Sequence, residues 1–240
     1  MKRLVAGSVV ATAIGASVAQ AVARGRQERA AAAFYRPTGT PQRVVVDGRE
    51  FWLPMIIHRM DGFGSLHPAS MAAARELLPS DALEPVRLPD GRAAVMVTAF
   101  RYYELTDSGP ARTESAEPPY AEVAVTILAT VGGRAPLLSL ALMGAQLTPM
   151  AGYVPHMAVT HRLARDGGRD VWGVPKFVAD VDFVDDVTLR EVRLAEGERH
   201  ILTLTVRPTG RLRLSTQPSV MYTVLDGRLI ETRMPSVIQS

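Results

Sequence analysis

Hydrophobic and polar residues alternate along most of the chain beyond residue 43, which is the pattern of β-strands that bury one face. Each predicted strand is short, and several are bounded by Gly, Pro or Asp residues. The predicted strands are Val44–Val46, Arg49–His58, Ala93–Tyr103, Tyr120–Ala129, Gly152–Thr160, Phe177–Val184, Thr188–Leu194, His200–Val206, Gly210–Ser215, Met221–Leu225 and Arg228–Arg233.

Asp-Gly dipeptides at 47–48, 90–91 and 226–227 stand before or between these strands. Asp-Gly favours the type I′ turn that joins the two strands of a hairpin, so we expect antiparallel pairing. The density of short strands is typical of a closed barrel or a sandwich. We predict an α+β, mostly β fold, built as an antiparallel β-barrel with one or two flanking helices.

Helical patterns are few. The stretch His67–Leu78 has Pro68 near its start and Pro79 directly after it, which predicts a well-bounded helix. A shorter helix is predicted over Arg162–Arg165, ending at the Gly167-Gly168 pair because glycine is common after a helix C-terminus. The apolar run Leu137–Leu147 is compatible with either a helix or a strand.

The first 23 residues differ from the rest of the chain. Lys2 and Arg3 precede an uncharged run over residues 4–23 that is rich in Ala, Val and Gly. The run has the outline of a cleaved secretory signal, is long enough for a membrane anchor, and is also compatible with a surface helix. An anchor followed by arginines places the main domain in the cytoplasm, whereas a signal implies export. Residues 24–42 form a predicted linker, and residues 43–240 form the domain.

Composition narrows the classes of function. Of 240 residues, 47% are hydrophobic and 21% are charged, which is ordinary for a globular domain. The absence of cysteine excludes disulfides and thiolate nucleophiles. A net charge of +3, without a basic surface interleaved with aromatic residues, argues against a nucleic-acid partner. No phosphate-loop, dinucleotide or zinc motif occurs, so we expect neither a cofactor nor a metal.

Lysine is almost missing from the chain, since only Lys2 and Lys176 occur among 27 basic residues. Lys176 lies in an apolar setting made by Trp172, Val174, Pro175 and Phe177. A lysine in water has a pKa of roughly 10.4, and an apolar pocket favours the neutral, nucleophilic amine. The residues alone leave two interpretations open: a Schiff-base lysine, or a lysine whose stem packs on aromatic rings while its ammonium reaches solvent.

The segment Gly168-Arg-Asp-Val-Trp-Gly-Val-Pro-Lys176 resembles the Schiff-base segment of the acetoacetate decarboxylase family. Asp47–Phe51 is similar to the family's N-terminal hairpin, Ala72–Pro79 to its helix, and Tyr120–Val123 to its glutamate segment. The resemblance extends over roughly residues 40–235. It implies a cofactor-free, homo-oligomeric lyase for a small keto acid, which decarboxylates an acetoacetate-like β-keto acid or carries out related aldol or dehydratase chemistry. It assigns the Schiff base to Lys176, the substrate carboxylate to Arg49, and positioning of the amine or proton relay to Glu122.

Two positions depart from the family pattern. Phe177 stands where the family has a second lysine that raises the local positive charge, and a second carboxylate of the family corresponds to the region of Met96. We expect Trp172, Phe177 and Met96 to line a more apolar substrate pocket. The departures favour either aldol or dehydratase chemistry through the same Schiff base, or a non-catalytic barrel that binds a small ligand.

Overall fold

The computed structural model describes residues 40–109, 119–132, 150–186, 188–208, 214–215, 219–234 and 238–239. Two helices lie in these ranges, α1 (Met71–Leu77) and α2 (Arg162–Trp172). The strands are β1 (Gln42–Val46), β2 (Arg49–Leu53), β3 (Ile56–Ala69), β4 (Leu83–Pro85), β5 (Ala93–Thr106), β6 (Tyr120–Val131), β7 (Met150–Val159), β8 (Lys176–Val178), β9 (Asp180–Asp185), β10 (Arg190–Glu196), β11 (Arg199–Val206), β12 (Leu214–Ser215), β13 (Ser219–Leu225), β14 (Arg228–Met234) and β15 (Ile238–Gln239).

The largest sheet has eight strands and runs in the order β14-β13-β7-β6-β5-β3, with β4 paired to β6 and β8 paired to β7. Most pairs are antiparallel, as the sequence predicts. However, β7 pairs in parallel with both β13 and β8. The sheet is therefore mixed, and the parallel β8 is the strand that begins with Lys176.

The mostly β composition is confirmed, but the prediction of a closed barrel is wrong, because the strands do not close on themselves. In the described part of the chain the eight-stranded sheet ends in β3 on one side and β14 on the other, and these two strands do not pair. A separate three-stranded sheet, β11-β10-β9, packs on the large sheet instead. Val192, Leu194 and Leu204 of this small sheet form one core cluster with Ala99 and Val123 of the large one.

An ion-pair network also joins the two sheets. Arg101 of β5 contacts Asp61 of β3 at 2.7 Å and Asp185 of β9 at 2.5 Å. Arg190 of β10 contacts the same two carboxylates, each at 3.1 Å. These four side chains connect strands of both sheets, so they add a polar junction beside the apolar one.

Both predicted helices exist, but their limits differ from the prediction. The first is shorter, because His67 to Ala69 belong to β3 and Ser70 caps the helix by accepting a hydrogen bond from the Ala73 amide. The second is longer: α2 continues through Gly167-Gly168 and ends at Gly173, which has a left-handed φ of 62°. The last turn therefore depends on Gly173 for its C-cap, and Gly168 lies inside the helix.

Two of the three predicted type I′ turns are confirmed. Asp47 and Gly48 have φ of 48° and 72°, and Asp226 and Gly227 have φ of 51° and 72°. At the third site only Gly91 has a positive φ, so Asp90-Gly91 forms another type of turn. The predicted strand Arg49–His58 is divided into β2 and β3 around Pro54, whose nitrogen carries no hydrogen for a ladder bond. Phe177–Val184 is likewise divided, into β8 and β9.

The predictions for residues 4–23, for the first part of the linker and for Leu137–Leu147 lie outside the described residues. The predicted strand Gly210–Ser215 is described only at its end, in β12. Within the ranges that are described, none of the helices has the length and apolarity needed to cross a bilayer.

Candidate active site

Lys176 and Glu122 meet on one face of the large sheet. Glu122 of β6 lies opposite Phe100 of β5, and Met157 of β7 lies beside both Ala124 of β6 and Lys176 of β8. Side chains paired in this way point to the same face of a sheet. The register therefore brings strands that are distant in the chain together around a single polar pair.

The amine and the carboxylate form a buried ion pair. The Lys176 Nζ donates to Glu122 Oε2 at 2.7 Å, and the two side chains are only 11% and 7% exposed. Removing one partner of such a pair costs about 3–5 kcal/mol, because a charge is then left buried and unpaired. The buried carboxylate of Glu122 thus has the Lys176 amine as its charged partner.

A glycine in α2 makes room for the lysine side chain. A Cβ added at Gly168 would lie 2.4 Å from Lys176 Cδ and 2.7 Å from its Cε, which is closer than carbon atoms approach. Gly168 therefore leaves the space that the Lys176 stem occupies, and a larger residue there would force the stem or the helix to shift. The backbone of α2 thus lies close against the side chain of Lys176, which itself belongs to the large sheet.

The backbone around Lys176 is held by the end of the same helix. The Arg169 Nε donates to the Lys176 carbonyl oxygen at 2.6 Å, and the Val174 amide donates to the Gly168 carbonyl at 2.9 Å. Pro175 fixes its own φ between these two contacts. Residues 168–176 thus lead from the last turns of α2 directly into β8, and Gly168 and Lys176 are in contact.

Two tyrosines complete the polar site. The Tyr102 hydroxyl donates to Glu122 Oε1 at 3.3 Å, so each oxygen of the carboxylate has a different partner. The Tyr102 and Tyr120 rings stack with centroids 4.7 Å apart, and the Lys176 Nζ lies 5.8 Å from the Tyr120 centroid. Stacked aromatic rings of this kind hold each other's orientation.

A groove opens beside the tyrosines. It has a volume of about 270 Å³ and lies between β5, the start of β6, and β9. Tyr102 and Tyr120 belong to its lining, together with Tyr103 and two charged residues, Arg101 and Asp182. Since β9 packs on the face of the large sheet opposite Lys176, the groove and the buried ion pair lie on different faces of that sheet.

Arg49 lies at the start of β2, directly after the Asp47-Gly48 turn, and its side chain is exposed. Among the described residues its side chain has no hydrogen bond or ion pair, while its backbone pairs with Val46 of β1. Its hairpin is fixed elsewhere: Val46 and Phe51 pack on Leu163 of α2. The structure thus links the hairpin to the helix under Lys176 without bringing Arg49 into contact with the amine.

The three predicted pocket residues occupy different places. Trp172 packs on Ala124 and Met157, on the face that carries Lys176. Phe177 follows Lys176 in β8 and therefore points to the opposite face, where it joins the core between the two sheets. Met96 packs on Val86, Ala94 and Leu128, four residues along β5 from Phe100, or about 13 Å at the usual rise per strand residue.

The family of the chain follows from a comparison with family models. The model of the family described as acetoacetate decarboxylase matches residues 40–233, which include every residue of the site. The chain belongs to the acetoacetate decarboxylase family.

Two solved acetoacetate decarboxylases share the fold of this chain. An acetoacetate decarboxylase from Legionella pneumophila is 15% identical, with a TM-score of 0.51 over 83% of this chain and 67% of that one. Another solved acetoacetate decarboxylase is 16% identical, with a TM-score of 0.51 over 74% of this chain and 64% of that one. The chain thus spans about two thirds of these decarboxylases. The enduracididine biosynthesis enzyme MppR in complex with pyruvate is 15% identical, with a TM-score of 0.48 over 82% of this chain and 71% of that one. No curated protein matches the chain.

Three residues of the site were not identified from the sequence. Gly168 was interpreted as a helix terminator, because a glycine required for packing inside a helix gives the same local signal as a C-cap. The sequence assigns no role to Tyr102 or to Tyr120, although Tyr120 lies in the predicted strand that carries Glu122. One signal was available for Tyr120, since it is two residues from Glu122 in a predicted strand and must share its face.

Proposed function

We propose that the protein is a cofactor-free lyase that forms a Schiff base between Lys176 and a small keto acid, and that its reaction is decarboxylation or related aldol chemistry. The observation that carries the proposal is the buried contact of 2.7 Å between the Lys176 Nζ and Glu122. It puts a proton acceptor on the only lysine of the domain. Membership of the family makes a lysine in this segment the expected nucleophile.

The first step requires a neutral amine. Lys176 transfers one proton to Glu122 Oε2, and its lone pair attacks the ketone carbon of the substrate. The C–N bond forms while the carbonyl π electrons move to oxygen, which takes up the proton. The nitrogen gives a second proton to this oxygen, and the loss of the oxygen as water leaves a C=N⁺ iminium on Lys176.

The iminium then accepts the electrons of the bond that breaks. In decarboxylation the bond to the carboxylate breaks, carbon dioxide leaves, and the electron pair forms an enamine with neutral nitrogen. In a retro-aldol reaction a C–C bond to a hydroxylated carbon breaks in the same way, and an aldehyde leaves. The enamine carbon takes a proton, and water releases the ketone and restores the amine.

In this proposal the exclusion of solvent favours the neutral amine of Lys176, a role that a second lysine has in the family. Phe177 packs in the core on the other face of the sheet, so the lysine segment carries one amine only. Gly168 allows the apolar stem of Lys176 to lie against the helix backbone, and both members of the ion pair are nearly excluded from solvent. Proton transfer within such a pair leaves two neutral groups, which a buried site tolerates better than two charges.

Arg49 is the proposed carboxylate-binding residue. A guanidinium matches a carboxylate with two parallel hydrogen bonds, which a lysine does not. Its side chain is exposed on a hairpin that packs on α2, the helix that also contacts Lys176. The proposal gives it the acid end of the substrate, while Trp172 contacts the apolar part.

Borohydride trapping tests the proposal. The protein is incubated with a panel of keto acids, reduced with borohydride, and mapped by mass spectrometry, while carbon dioxide release is followed in parallel. We expect a mass increase on Lys176 that is lost in Lys176→Ala and retained in Lys2→Arg, the variant of the second lysine. The absence of an adduct on Lys176 with every keto acid would overturn the proposal.

One observation favours a second candidate, a protein of the same fold that binds a small ligand without converting it. The same ion pair that provides a proton acceptor also stabilises the charged amine, which does not attack a ketone. In that case calorimetry would detect binding of a keto acid or another small acid, borohydride would trap nothing, and Lys176→Arg would retain the affinity.

A further inference from the structure

The face of the large sheet that carries the ion pair continues from β6 onto β5 and β3. Glu122 lies opposite Phe100 of β5, and Phe100 lies opposite Gly62 of β3. Residues paired in this way share a face, and neighbouring strands are about 4.8 Å apart. Phe100 is therefore one strand away from the carboxylate that contacts Lys176, and a substrate joined to the amine lies within its reach.

This part of the face is apolar and partly open to solvent. The residues that alternate along it carry no charge: Met96, Thr98 and Phe100 on β5, and Gly62, Gly64 and Leu66 on β3. Phe100 and Thr98 are half-buried, and Leu66 is 41% exposed. An apolar surface that adjoins a reactive amine suits an apolar substituent of the substrate, because contact with it removes both surfaces from water.

Two glycines of β3 set the direction of the side chains on β5. A Cβ added at Gly62 would collide with Cδ1 and Cε1 of the Phe100 ring, and a Cβ added at Gly64 would lie 2.8 Å from Thr98 Cγ2. The Phe100 ring thus lies over β3, on the side of β5 that faces away from Glu122. A larger residue at position 62 would turn the ring back towards β6 and the amine.

We propose that Phe100 is the specificity residue of this site and that the substrate is a keto acid whose ketone carries an apolar chain of several carbons. The chain lies on the Phe100 ring and continues towards Thr98, which is two residues along β5, or about 7 Å at the usual rise per strand residue. The inference rests on the proposed Schiff-base function and names its substrate class.

Methyl ketones, the products that decarboxylation of such acids would release, test the substrate class. Their second substituent is lengthened from methyl to pentyl, and the ketone concentration that half-saturates borohydride trapping on Lys176 is measured by mass spectrometry. We expect this concentration to fall about 2- to 4-fold with each added methylene, because each one leaves water for the apolar surface at Phe100.

Variants assign this trend to Phe100. Phe100→Ala should flatten it by removing the surface that receives the chain, and Gly62→Ala should flatten it by turning the ring towards the amine. Adding Phe100→Leu to Gly62→Ala should restore part of the trend, because leucine needs less room over β3.

Val97→Ala is the matched control, because Val97 lies on the same strand but packs on the opposite face, in the core shared with the small sheet. It should keep the trend even where it lowers stability. The trend is measured relative to acetone within each protein, so a general loss of trapping does not imitate the result.

The outcomes are distinct. If the wild-type protein traps neither a ketone nor a keto acid on Lys176, the proposed function and this inference both fall. If adducts form with the same half-saturating concentration along the series, the function stands, the apolar surface has another occupant such as a second copy of the chain, and the inference is overturned. A trend that persists in Phe100→Ala overturns the role of Phe100.

Discussion

A single methyl group at residue 168 decides whether the lysine side chain fits. We predict that Gly168→Ala destabilises the protein by about 1–3 kcal/mol, the usual cost of an inserted carbon in a packed site, and abolishes trapping at Lys176. In the Lys176→Ala background the clash disappears. There the same change should be neutral, or should stabilise α2 by up to about 1 kcal/mol, because alanine is the better helix former.

Urea unfolding of the four proteins in this cycle measures the coupling between residues 168 and 176. Equal effects of Gly168→Ala in both backgrounds would contradict the packing role assigned to Gly168. The glycine was visible in the sequence, but its purpose was not. The contact between α2 and the Lys176 side chain can be recognised only after the fold brings Gly168 and Lys176 together.

The ion pair of Lys176 and Glu122 is predicted to reduce stability relative to an apolar pair of similar size. Glu122→Leu alone should cost about 3–5 kcal/mol, because it leaves a buried amine without its acceptor. The double variant with Lys176→Met should recover most of that loss. Additive effects of the two changes in urea unfolding would show that the pair is not coupled.

At the scale of elements, the β1–β2 hairpin carries the residue proposed to bind the substrate acid. We predict that Arg49→Ala weakens trapping of a keto acid about 10-fold or more and leaves trapping of the matching methyl ketone unchanged, because only the acid needs the guanidinium. Arg43→Ala is the control, since Arg43 lies on the same hairpin but is paired with Glu50 at 2.6 Å. Equal losses with the acid and the ketone would exclude carboxylate binding by Arg49.

This hairpin also shows what a sequence can predict at the element scale. The Asp47-Gly48 turn and its strands follow from local chemistry, because a type I′ turn needs two residues that tolerate positive φ. The division of the following strand at Pro54, and the parallel pairing of β8 with β7, depend on partners far away in the chain. Glu122 and Lys176 were identified singly, but their contact depends on that parallel register.

At the scale of the whole molecule, the missing closure of the large sheet matters for stability. The three-stranded sheet is joined to it by one apolar cluster and by the network of Asp61, Arg101, Asp185 and Arg190. Alternating strands predicted a sheet with a buried face, which is present. They did not predict whether that face would be covered by closure or by a second sheet, because both solutions bury the same residues.

The same network makes stability depend on pH. Hydrogen bonds from Arg101 hold the pKa of Asp61 below its usual value, and hydrogen bonds from Arg190 do so for Asp185. A carboxyl with a lowered pKa in the folded state contributes stability that is fully present above its unfolded pKa, roughly 3.9, and is lost as the pH falls through its folded pKa. We therefore expect the junction between the two sheets to weaken below about pH 4.

Asp61→Asn isolates this contribution, because the amide cannot titrate. Since the Asp61 side chain is 37% exposed, we expect the variant to be less stable than wild type by no more than about 1 kcal/mol at pH 7. The difference should shrink towards zero as urea unfolding is repeated from pH 5 to pH 2. Asp182→Asn, on β9 of the small sheet with Asp185, should show no such trend, because no ion pair of Asp182 occurs among the described residues. A difference between Asp61→Asn and wild type that stays constant with pH would mean that charge at Asp61 does not hold the sheets together.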